Sequence, residues 1–340
     1  MQYELSICIP TFNREKYLKD ALDSIVNQID DTNRDKVEIC VSDNASQDNT
    51  KELVENYKKR HPHITYFRWD KNMGADNNFL KVIEIAHGKY CWFLGSDDII
   101  LKNSVKTVLS KIMDITSDIF YASAIGYDIN LQNPDKQQLA IKIPIDIAYN
   151  NCRTIIKEFG IYFGCITNII VLKEKWDRFA LNRKFVGSAY QHLYICFEII
   201  KNGGSICNTS KPLVGYRRSN DSFLDEGNFR RIQIDIVGYN DISVEVFGKN
   251  SAEAKNINYA VLKSFIYRHI LIAILYNAAN MKYRIKVFSL CLKYYKLYPI
   301  FWITSFPLLL IPAFILKSIR FIYRKVLKTN EDTNHDKLFT

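Results

Sequence analysis

Several features that would define other protein classes are missing from this 340-residue chain. It has eight cysteines but no Cys-x-x-Cys pair and no spacing typical of a zinc site, and several of them lie inside apolar segments. A free cysteine in such a segment behaves as a small hydrophobic residue. We therefore expect no structural disulfides and a reducing, cytosolic compartment. The N-terminus also lacks the basic and apolar regions of an export signal, so none is expected there.

Acidic residues are absent from one long stretch of the chain. Between Lys255 and Lys328 there are thirteen lysines and arginines and no acid, whereas the first 254 residues hold 32 basic and 33 acidic residues. The net charge of +10 therefore arises near the C-terminus. The residues between these charges are apolar and aromatic, which favours an anionic membrane surface over nucleic acid as the partner.

The first half of the chain alternates short apolar runs with segments of helical periodicity. Strands separated by helices of ten to fifteen residues are typical of βαβ units and predict an α/β fold with a parallel sheet. The predicted strands cover 5–10, 37–43, 64–70 and 90–94, and the predicted helices cover 13–28, 50–60 and 77–86. Beyond residue 125 this alternation fades.

Polar residues follow each predicted strand, at the edge where parallel sheets bind ligands. For any single one of them, such as Asp43 or Ser46, a helix N-cap is an ordinary alternative. Four polar turns at equivalent positions favour a binding site. The turns are Pro10-Thr11-Phe12-Asn13-Arg14, Asp43-Asn44-Ala45-Ser46, Asp70-Lys71-Asn72-Met73-Gly74 and Gly95-Ser96-Asp97-Asp98.

Together these turns resemble the nucleotide-sugar half of family 2 glycosyltransferases with the GT-A fold, a Rossmann-like, mostly parallel sheet flanked by helices. The match covers roughly residues 4 to 125 and continues more weakly to about 225. Four further segments resemble bacterial O-antigen transferases of the abequosyltransferase type: FLGSDD, VLKEKWD, SKPLV and RRSNDSF. The resemblance implies a nucleotide-sugar-binding half at 1–125 and an acceptor-binding half at 126–228. The basic and apolar composition further along the chain predicts a helical, membrane-associating region at 229–340.

The resemblance also implies which residues bind the nucleotide sugar. Thr11 and Arg14 would line the nucleotide pocket, Asp43 would face the base or ribose, and Asn72 and Gly74 would form a close wall beside the nucleotide. The other implied donor-site residues are Pro10, Asn13, Asn78, Ser96, Asp97, Arg217 and Arg218. The last two lie in a segment similar to the loop that closes over the diphosphate, where guanidinium groups match phosphate oxygens. One of these two arginines is expected to pack or face solvent instead.

Two adjacent acids, Asp97 and Asp98, end the fourth strand and are the predicted ligands of Mn²⁺ or Mg²⁺, hard cations that prefer carboxylate oxygens. Such a cation stabilises the charge that develops on a departing nucleoside diphosphate. The family pattern has an aspartate at the position of Gly95, so the first acid is missing here and metal dependence is put in doubt. Asp97 matches the last acid of the pattern. Asp98 has a structural alternative, either capping the helix that begins near Ser104 or fixing the turn.

The family's acidic catalytic base is also missing from the corresponding helix start, which carries His192 and no acid before Glu198. An imidazole accepts a hydroxyl proton near neutral pH. His192 and Asp98 are therefore the predicted catalytic residues. The alternative for His192 is that it binds an acceptor hydroxyl or packs against the sheet.

Residues 297–316 form a run of twenty residues without a charge. This length suffices for a membrane-spanning helix. However, Pro299, Pro307 and Pro312 interrupt the run, and basic residues flank both ends, so the positive-inside rule identifies no outer end. Peripheral or re-entrant association is therefore predicted, with burial between helices as the alternative.

The leading prediction is a glycosyltransferase that moves a sugar, such as a deoxyhexose, from a CDP-, UDP-, GDP- or dTDP-sugar to a lipid-linked oligosaccharide in O-antigen-like polysaccharide synthesis. The expected location is the cytoplasmic face of the inner membrane, with no nucleic-acid partner. A sugar-nucleotide nucleotidyltransferase shares the parallel sheet but usually has a glycine-rich loop after its first strand, and this chain has none. The non-enzymatic alternative is an inactive, membrane-anchored scaffold.

Overall fold

The computed structural model describes residues 3–134, 145–209, 211–218, 220, 223, 227–276 and 279–327. The chain divides into two compact units, Met1–Asn220 and Asp221–Thr340. The first unit combines strands and helices, and the described part of the second is helical. The predicted boundary between donor and acceptor halves at residue 125 falls inside the first unit and stays a prediction.

Eleven strands lie in the described part of the first unit. They are β1 (Leu5–Thr11), β2 (Val37–Asp43), β3 (Ile64–Arg68), β4 (Tyr90–Phe93), β5 (Ile99–Ile100), β6 (Ile119–Tyr121), β7 (Ala124–Tyr127), β8 (Ala148–Tyr149), β9 (Ile169–Leu172), β10 (Ile206–Asn208) and β11 (Val214–Arg217).

The α-helices are distributed over both units. Those of the first unit are α1 (Glu15–Val26), α2 (Thr50–Arg60), α3 (Ala75–Glu84), α4 (Ser104–Asp114), α5 (Cys152–Phe159), α6 (Lys173–Ala180) and α7 (Gln191–Lys201). Those of the second unit are α8 (Asn228–Phe247), α9 (Ala252–Val261), α10 (Tyr267–Leu275), α11 (Met281–Tyr295), α12 (Phe306–Leu310) and α13 (Ala313–Leu327).

The main sheet is mixed, with the strand order β3-β2-β1-β4-β9-β6-β10-β8. Its first four strands are parallel, and β9 runs antiparallel to both of its neighbours. Every residue of β1 and β2 is buried, as expected for central parallel strands covered by helices on both faces. On one face, the apolar stripe of α1 (Leu18, Leu22 and Ile25) joins the same core cluster. The GT-A-like fold predicted from the sequence is therefore confirmed.

A second sheet of three strands, in the order β5-β11-β7, connects the acid turn to the end of the first unit. Two glycines permit its close pairing. A Cβ on Gly126 would lie 2.9 Å from the Tyr216 hydroxyl, and one on Gly215 would lie 2.9 Å from Cε2 of Tyr127. Each glycine thus leaves room for a tyrosine on the neighbouring strand, and the pairing brings β11 against the strand that follows the two acids.

The predicted elements of the first half agree with the structure apart from small shifts at their ends. Strand β2 and helix α2 have the predicted bounds, whereas β3 ends at Arg68, two residues earlier than expected. Helix α3 begins at Ala75, two residues earlier than expected, because Gly74 adopts a positive φ of 84° and sets the helix start. Helix α4 begins at Ser104, as predicted.

Within the second unit, α9, a π-helical turn and α10 form one continuous helix over Ala252–Leu275. Among the described residues, this is the one unbroken helix long and apolar enough to cross a membrane. Its buried face carries Ile257, Val261, Ile266 and Ile270, which are at most 1% exposed. This spacing of four to five residues is typical of the core-facing stripe of a helix in a bundle.

Candidate active site

The carboxyl ends of β1 to β4 meet at one edge of the main sheet, and backbone hydrogen bonds continue there beyond the strands. The amide of Asn44 donates to Thr11 O at 2.9 Å, that of Trp69 to Asp43 O at 2.9 Å, and that of Leu94 to a β1 carbonyl. The four polar turns identified in the sequence are thereby brought to one place. Binding sites of open α/β sheets lie at this edge.

Asn78 joins three of the four strand ends and is 3% exposed. Its amide nitrogen donates to Thr11 O at 3.2 Å and to Ser42 O at 2.9 Å. Its carbonyl oxygen accepts from Ser42 Oγ at 2.7 Å and from Trp69 Nε1 at 3.3 Å. With the hydrogen-bonding capacity of both its polar atoms used within the protein, Asn78 organises the edge. Its predicted contact with the nucleotide sugar stays a prediction.

Asp43 lies at the end of β2 and is fully buried. One carboxylate oxygen accepts from the Ser46 amide at 2.9 Å, and the other accepts from the Tyr66 hydroxyl at 2.8 Å with Arg68 Nε 3.4 Å away. Burial and this carboxylate raise the pKa of Tyr66. Asp43 therefore fixes the turn after β2, and an interaction with base or ribose, as the resemblance implies, stays a prediction.

The turn after β1 is tied to the turn after β2. The Asn13 amide donates to Ser46 Oγ at 2.8 Å, and the Asn13 side-chain oxygen accepts from the Gln47 amide at 2.7 Å. Asn13 itself has a φ of 51°, in the left-handed region that asparagine tolerates better than most residues. Its predicted donor contact stays a prediction, and its observed role is to hold the two turns together.

A chain of amide contacts shapes the wall expected beside the nucleotide. The Asn44 side chain donates to Asn72 Oδ1 at 2.8 Å and accepts from the Met73 amide at 2.8 Å. Asn72 Oδ1 also accepts from the amide of Gly74 at 2.8 Å. This wall therefore consists of backbone groups and asparagine side chains that are hydrogen-bonded to one another. The sequence resemblance identified Asn72 and Gly74 but did not reveal the contacts made by Asn44.

Thr11 contributes a hydroxyl that the described residues do not satisfy. Its Oγ1 is buried, and within the described part of the chain it has no hydrogen-bond partner. A buried polar atom without a partner calls for an explanation such as a ligand.

The remaining residues around these turns differ in exposure. Pro10 belongs to buried β1, and Ser96 is 8% exposed. Phe12, which lies between the predicted residues Thr11 and Asn13, is 39% exposed. Phe12 is not among the predicted site residues, although it lies inside the first polar turn.

Asp97 presents its carboxylate at the sheet edge, with the side chain 23% exposed. Its Oδ2 accepts from Asn220 Nδ2 at 2.7 Å and lies 3.9 Å from the guanidinium of Arg14. Arg14 also donates to the Asn220 carbonyl at 3.5 Å. The structure thus brings together two predicted site residues, Asp97 and Arg14, and adds Asn220, which the sequence analysis did not single out.

Asp98 points the other way, into the protein, and is 8% exposed. Its Oδ2 accepts a short hydrogen bond from Thr167 Oγ1, and its Oδ1 accepts from the Arg217 amide at 3.1 Å. Burial, with a smaller contribution from the Asp97 charge, raises the pKa of Asp98 to about 7. Of its two structural alternatives, Asp98 fixes the turn. The residue at the cap position of α4 is Asn103.

The missing acid at Gly95 has a steric explanation. A Cβ at this position would lie 2.8 Å from Asp98 Oδ2 and 3.0 Å from Thr167 Oγ1, and the Gly95 amide donates to that same hydroxyl at 2.9 Å. The space of the absent side chain is therefore filled by the carboxylate of Asp98. Thr167, which organises this turn, lies 69 residues from Asp98, and no local pattern pointed to it.

Arg217 is 7% exposed, and each of its side-chain nitrogens is hydrogen-bonded to protein. Nε donates to Asp97 O at 2.7 Å, one terminal nitrogen donates to Ile129 O at 2.6 Å, and the other makes a short ion pair with Asp20. The guanidinium also lies 4.9 Å from the ring centre of Tyr17. Arg217 therefore supports the acid turn from behind, and its predicted contact with phosphate stays a prediction.

Arg218 lies next in the chain, and its Nε donates to the Tyr127 carbonyl at 3.2 Å. From the sequence, one of the two arginines is expected to pack or face solvent. Arg217 is the more deeply buried of the two. A phosphate contact is therefore better suited to Arg218 and stays a prediction for it.

His192 lies in the first turn of α7 and is 2% exposed. Its ring meets Phe79 edge-on at 5.4 Å between centres, and Nε2 lies 3.3 Å from Gly164 O. Burial lowers the pKa of His192 to about 4, so the ring is neutral near pH 7. The geometry favours the packing alternative, and the catalytic role of His192 stays a prediction.

Asp76 anchors the loop before His192, and the sequence analysis did not identify it. Its carboxylate accepts from three backbone amides, those of Gly187 at 2.7 Å, Ala189 at 2.9 Å and Gln191 at 3.0 Å. Asp76 lies in the first turn of α3, so it connects the donor-side wall to the start of α7. Burial raises the pKa of Asp76 despite these donors.

Asp97 and Asp98, the two predicted metal ligands, direct their carboxylates to different surroundings, and their metal ligation stays a prediction. Asp98 directs both oxygens to protein donors, whereas Asp97 keeps a partly exposed carboxylate. Among the described residues, no cluster of three or more histidines, cysteines or acids could hold a metal ion. A Mg²⁺ or Mn²⁺ ion nevertheless fits one protein carboxylate, because such ions often take their other ligands from water and substrate phosphates.

Comparison with known proteins bears on this geometry. The model of the family described as "Glycosyl transferase family 2" matches residues 6–176, which include the four strand ends and both acids. The chain is also 35% identical over 269 residues to the abequosyltransferase RfbV of Salmonella typhimurium, covering 76% of this chain and 80% of that protein. The chain belongs to glycosyltransferase family 2. It is a nucleotide-sugar-dependent glycosyltransferase.

Other relatives of this glycosyltransferase match over shorter stretches. The chain is 33% identical over 129 residues to the GalNAc(5)-diNAcBac-PP-undecaprenol beta-1,3-glucosyltransferase of Campylobacter jejuni, covering 38% of this chain and 40% of that one. Among solved structures, S. aureus TarS 1–349 in complex with UDP-GlcNAc superposes with a TM-score of 0.56 at 18% identity. That match covers 76% of this chain and 71% of TarS 1–349, and at this identity it supports the fold alone.

Proposed function

We propose that this glycosyltransferase moves a sugar, such as a deoxyhexose, from a nucleotide donor to a lipid-linked glycan in the synthesis of a cell-surface polysaccharide. The observation that carries the proposal is a set of three side chains at the carboxyl edge of the sheet. Asp97 and Arg14 form a pair there, and the Thr11 hydroxyl at the end of β1 is buried without a hydrogen-bond partner among the described residues. The similarity to RfbV supports a deoxysugar, and the Campylobacter relative, whose name includes an undecaprenol-linked glycan, supports a lipid-linked acceptor.

The proposed donor site uses charge of both signs. Arg14, 18% exposed at its side chain, can pair with a phosphate oxygen, because a guanidinium remains charged and donates in a planar fork. Asp97 would hold a divalent cation, which when bound neutralises charge on the leaving diphosphate. The Thr11 hydroxyl would find its partner in the donor. Asn220 would release Asp97 when the donor binds, because it occupies the same carboxylate oxygen.

The protein supplies rigidity at this site rather than an additional acid. Arg217 holds the Asp97 carbonyl, and Asp98 with Thr167 holds the turn from inside. Asp97 is thereby kept in one position on a rigid strand end, which favours catalysis by positioning. This arrangement supports a transferase that retains activity without the family's first acid, in contrast to an inactive scaffold.

The proposal is tested by replacing Asp97 with asparagine. The new side chain has nearly the same shape and can still accept the hydrogen bond from Asn220, but it carries no charge. Transfer and donor hydrolysis should fall by about 100-fold or more, the usual size of the loss of one electrostatic group. The melting temperature should change little, since Asp97 is partly exposed. Asp177→Asn, on the exposed face of α6, is the matched control and should have wild-type activity.

The donor nucleotide is identified by measuring thermal stabilisation with CDP, UDP, GDP and dTDP, each with and without Mn²⁺. One nucleotide should stabilise the wild-type protein, and Mn²⁺ should increase the shift in wild type but not in Asp97→Asn. Full transfer activity in Asp97→Asn, or in excess chelator, would refute the metal role. If the enzyme releases nucleotide but forms no glycan product with lipid-linked acceptors, the proposed acceptor is wrong, while the assignment as a glycosyltransferase stands.

A further inference from the structure

The second unit exposes a group of large apolar side chains between residues 297 and 321. Leu297 is 85% exposed, Ile303 73%, Phe314 69%, Phe321 68% and Leu310 66%. Large apolar side chains at this exposure leave apolar area in contact with water, which is unfavourable, so a group of them in one segment suggests an interaction site. We call residues 297–321 the apolar wedge.

The apolar wedge is sharply bent. Helical segments Phe301–Leu310 and Ala313–Ile319 are together long and apolar enough for a membrane span, but they meet at an angle of 109°. The break falls at Ile311 and Pro312. Proline has no amide hydrogen to continue the helix, and it forces the residue before it into an extended conformation, as seen at Ile311 with ψ of 128°. The run therefore does not form the single straight helix that could cross a bilayer.

Arg284 stabilises this bend. One terminal nitrogen of its guanidinium donates to the carbonyls of Leu309 at 2.8 Å and Ile311 at 2.9 Å, and lies 3.3 Å from that of Leu308. Its Nε donates to Ala279 O at 3.3 Å. The last carbonyls of a helix have no partner within the helix, and a cation at that end is favourable. Arg284 thus satisfies the backbone at the point where the break would otherwise expose it.

The surroundings of the apolar wedge select an anionic lipid surface as its partner. Lys293 and Lys296 precede it, Lys317 lies within it, and all three are exposed. No acidic residue occurs from 255 to 328. Trp302 is 41% exposed and its indole nitrogen is already bonded to Lys296 O at 3.0 Å, so the ring can enter an apolar layer without an unsatisfied donor. Apolar and aromatic side chains flanked by cations on both sides are typical of segments that lie in a bilayer interface.

We propose that the apolar wedge, held bent by Arg284, inserts into one leaflet of an anionic bilayer without crossing it. This goes beyond the proposed transfer reaction, since it concerns the helical unit and its partner. Basic residues at both ends remain at the same headgroup layer, where each contributes electrostatic attraction that salt weakens. The inserted side chains contribute attraction that salt does not remove.

The first test uses Trp302, the single tryptophan after residue 176. The full chain is mixed with phosphatidylglycerol–phosphatidylcholine vesicles whose acyl chains carry bromine either near the headgroup or near the chain end. We expect tryptophan fluorescence to be quenched more strongly by the shallow bromines, and Trp302→Phe to abolish the difference. Absence of quenching, or stronger quenching by the deep bromines, overturns the proposal.

The second test is flotation with the same vesicles at high salt. Phe314→Glu should lower the partition coefficient about tenfold or more, because the variant loses the burial of an aromatic side chain and adds a charge. Leu181→Glu is the matched control, since Leu181 is 86% exposed on the first unit and should bind as wild type. Equal partition of all three proteins, or an equal loss in both variants, contradicts the proposal.

The third test addresses the bend. Arg284→Met should lose the preference for shallow bromines, whereas Arg284→Lys, which retains a donor and a charge, should keep it. An unchanged quenching profile in Arg284→Met overturns the role of Arg284. Donor hydrolysis without vesicles should be unchanged in Phe314→Glu, so failure of the membrane proposal and failure of the proposed transfer remain distinguishable.

Discussion

The two units of this glycosyltransferase differ in which side chains they bury and which they expose. At the sheet edge of the first unit, polar side chains such as Asp43, Asn78 and Asp98 are buried and bonded to protein. In the second unit, large apolar side chains such as Ile303 and Phe314 lie at the surface. The first arrangement suits the proposed rigid site for a charged ligand, and the second suits the proposed insertion into a lipid layer.

This contrast shows why amino-acid type alone is a poor guide to exposure. A buried polar group is tolerated where each atom has a partner, and the geometry of those partners then becomes rigid. An exposed apolar group needs no hydrogen-bond partner within the protein. The unfavourable free energy of its contact with water is removed when an external partner covers it. Three measurements can break or sharpen this contrast, and they follow from the largest expected effect to the smallest.

The largest expected effect compares two phenylalanines of the second unit. Phe301 is fully buried against Phe288 and Phe306, whereas Phe314 is 69% exposed. Phe301→Ala should lower the free energy of unfolding by about 3–5 kcal/mol, and Phe314→Ala should change it by less than about 0.5 kcal/mol. Chemical denaturation without lipid measures both. A large loss in Phe314→Ala would mean that the apolar wedge is core, and the contrast between the units would disappear.

The next effect distinguishes two roles of Arg217, which either supports the turn that carries Asp97 and Asp98 or binds phosphate. Arg217→Met should lower the free energy of unfolding by about 2–3 kcal/mol, because it removes hydrogen bonds to a charged donor while Asp20 remains half-exposed. Arg178→Met, on exposed α6, is the control and should leave stability unchanged. A variant with unchanged melting temperature but weaker nucleotide binding would instead support the phosphate contact.

The smallest effect, taken per unit of pH, is a pH dependence with opposite signs at Asp98 and His192. The raised pKa of Asp98, about 7 against 3.8, means that the folded protein keeps a proton that the unfolded chain releases, so stability falls as pH rises through that window. The lowered pKa of His192, about 4 against 6.5, means that the unfolded chain binds a proton that the folded protein does not, so stability rises with pH.

Each contribution is limited to about 1.4 kcal/mol per pH unit, and the two oppose each other where the windows overlap. Asp98→Asn should therefore gain stability relative to wild type as pH rises from 4 to 7, and His192→Gln should lose stability relative to wild type from 4 to 6.5. Urea unfolding of the metal-free protein at several pH values measures both. Parallel curves for a variant and wild type would show that the residue does not titrate as its burial implies.

The sequence by itself determined the parallel strands and the place of the site. Continuous apolar strands ending in polar turns have few alternatives, because a parallel sheet buries both faces and leaves its carboxyl edge open. The bounds of β2 and α2 and the start of α4 follow from this local periodicity. The presence of Asp97 and Arg14 at one edge follows from the same rule.

Only the tertiary structure decided which of these side chains are buried and which are exposed at the sheet edge. Asp97 and Asp98 are neighbours in sequence, yet one reaches the surface and the other is bonded to Thr167, 69 residues away. Arg217 and Arg218 are also neighbours in sequence, yet Arg217 is the more deeply buried of the two, and its ion pair joins it to the distant Asp20. Such contacts join segments far apart in the chain, and no local pattern of residue types encodes them.

The same division holds for the second unit. Composition alone identified a basic stretch with an uncharged run, because both are properties of residue type and order. The bend at Pro312 and its stabilisation by Arg284 depend on where α11 lies beside α12. Hydrogen bonding between side chain and distant backbone is a three-dimensional property, so the sequence predicted an apolar run, and packing decided that it is a bent one.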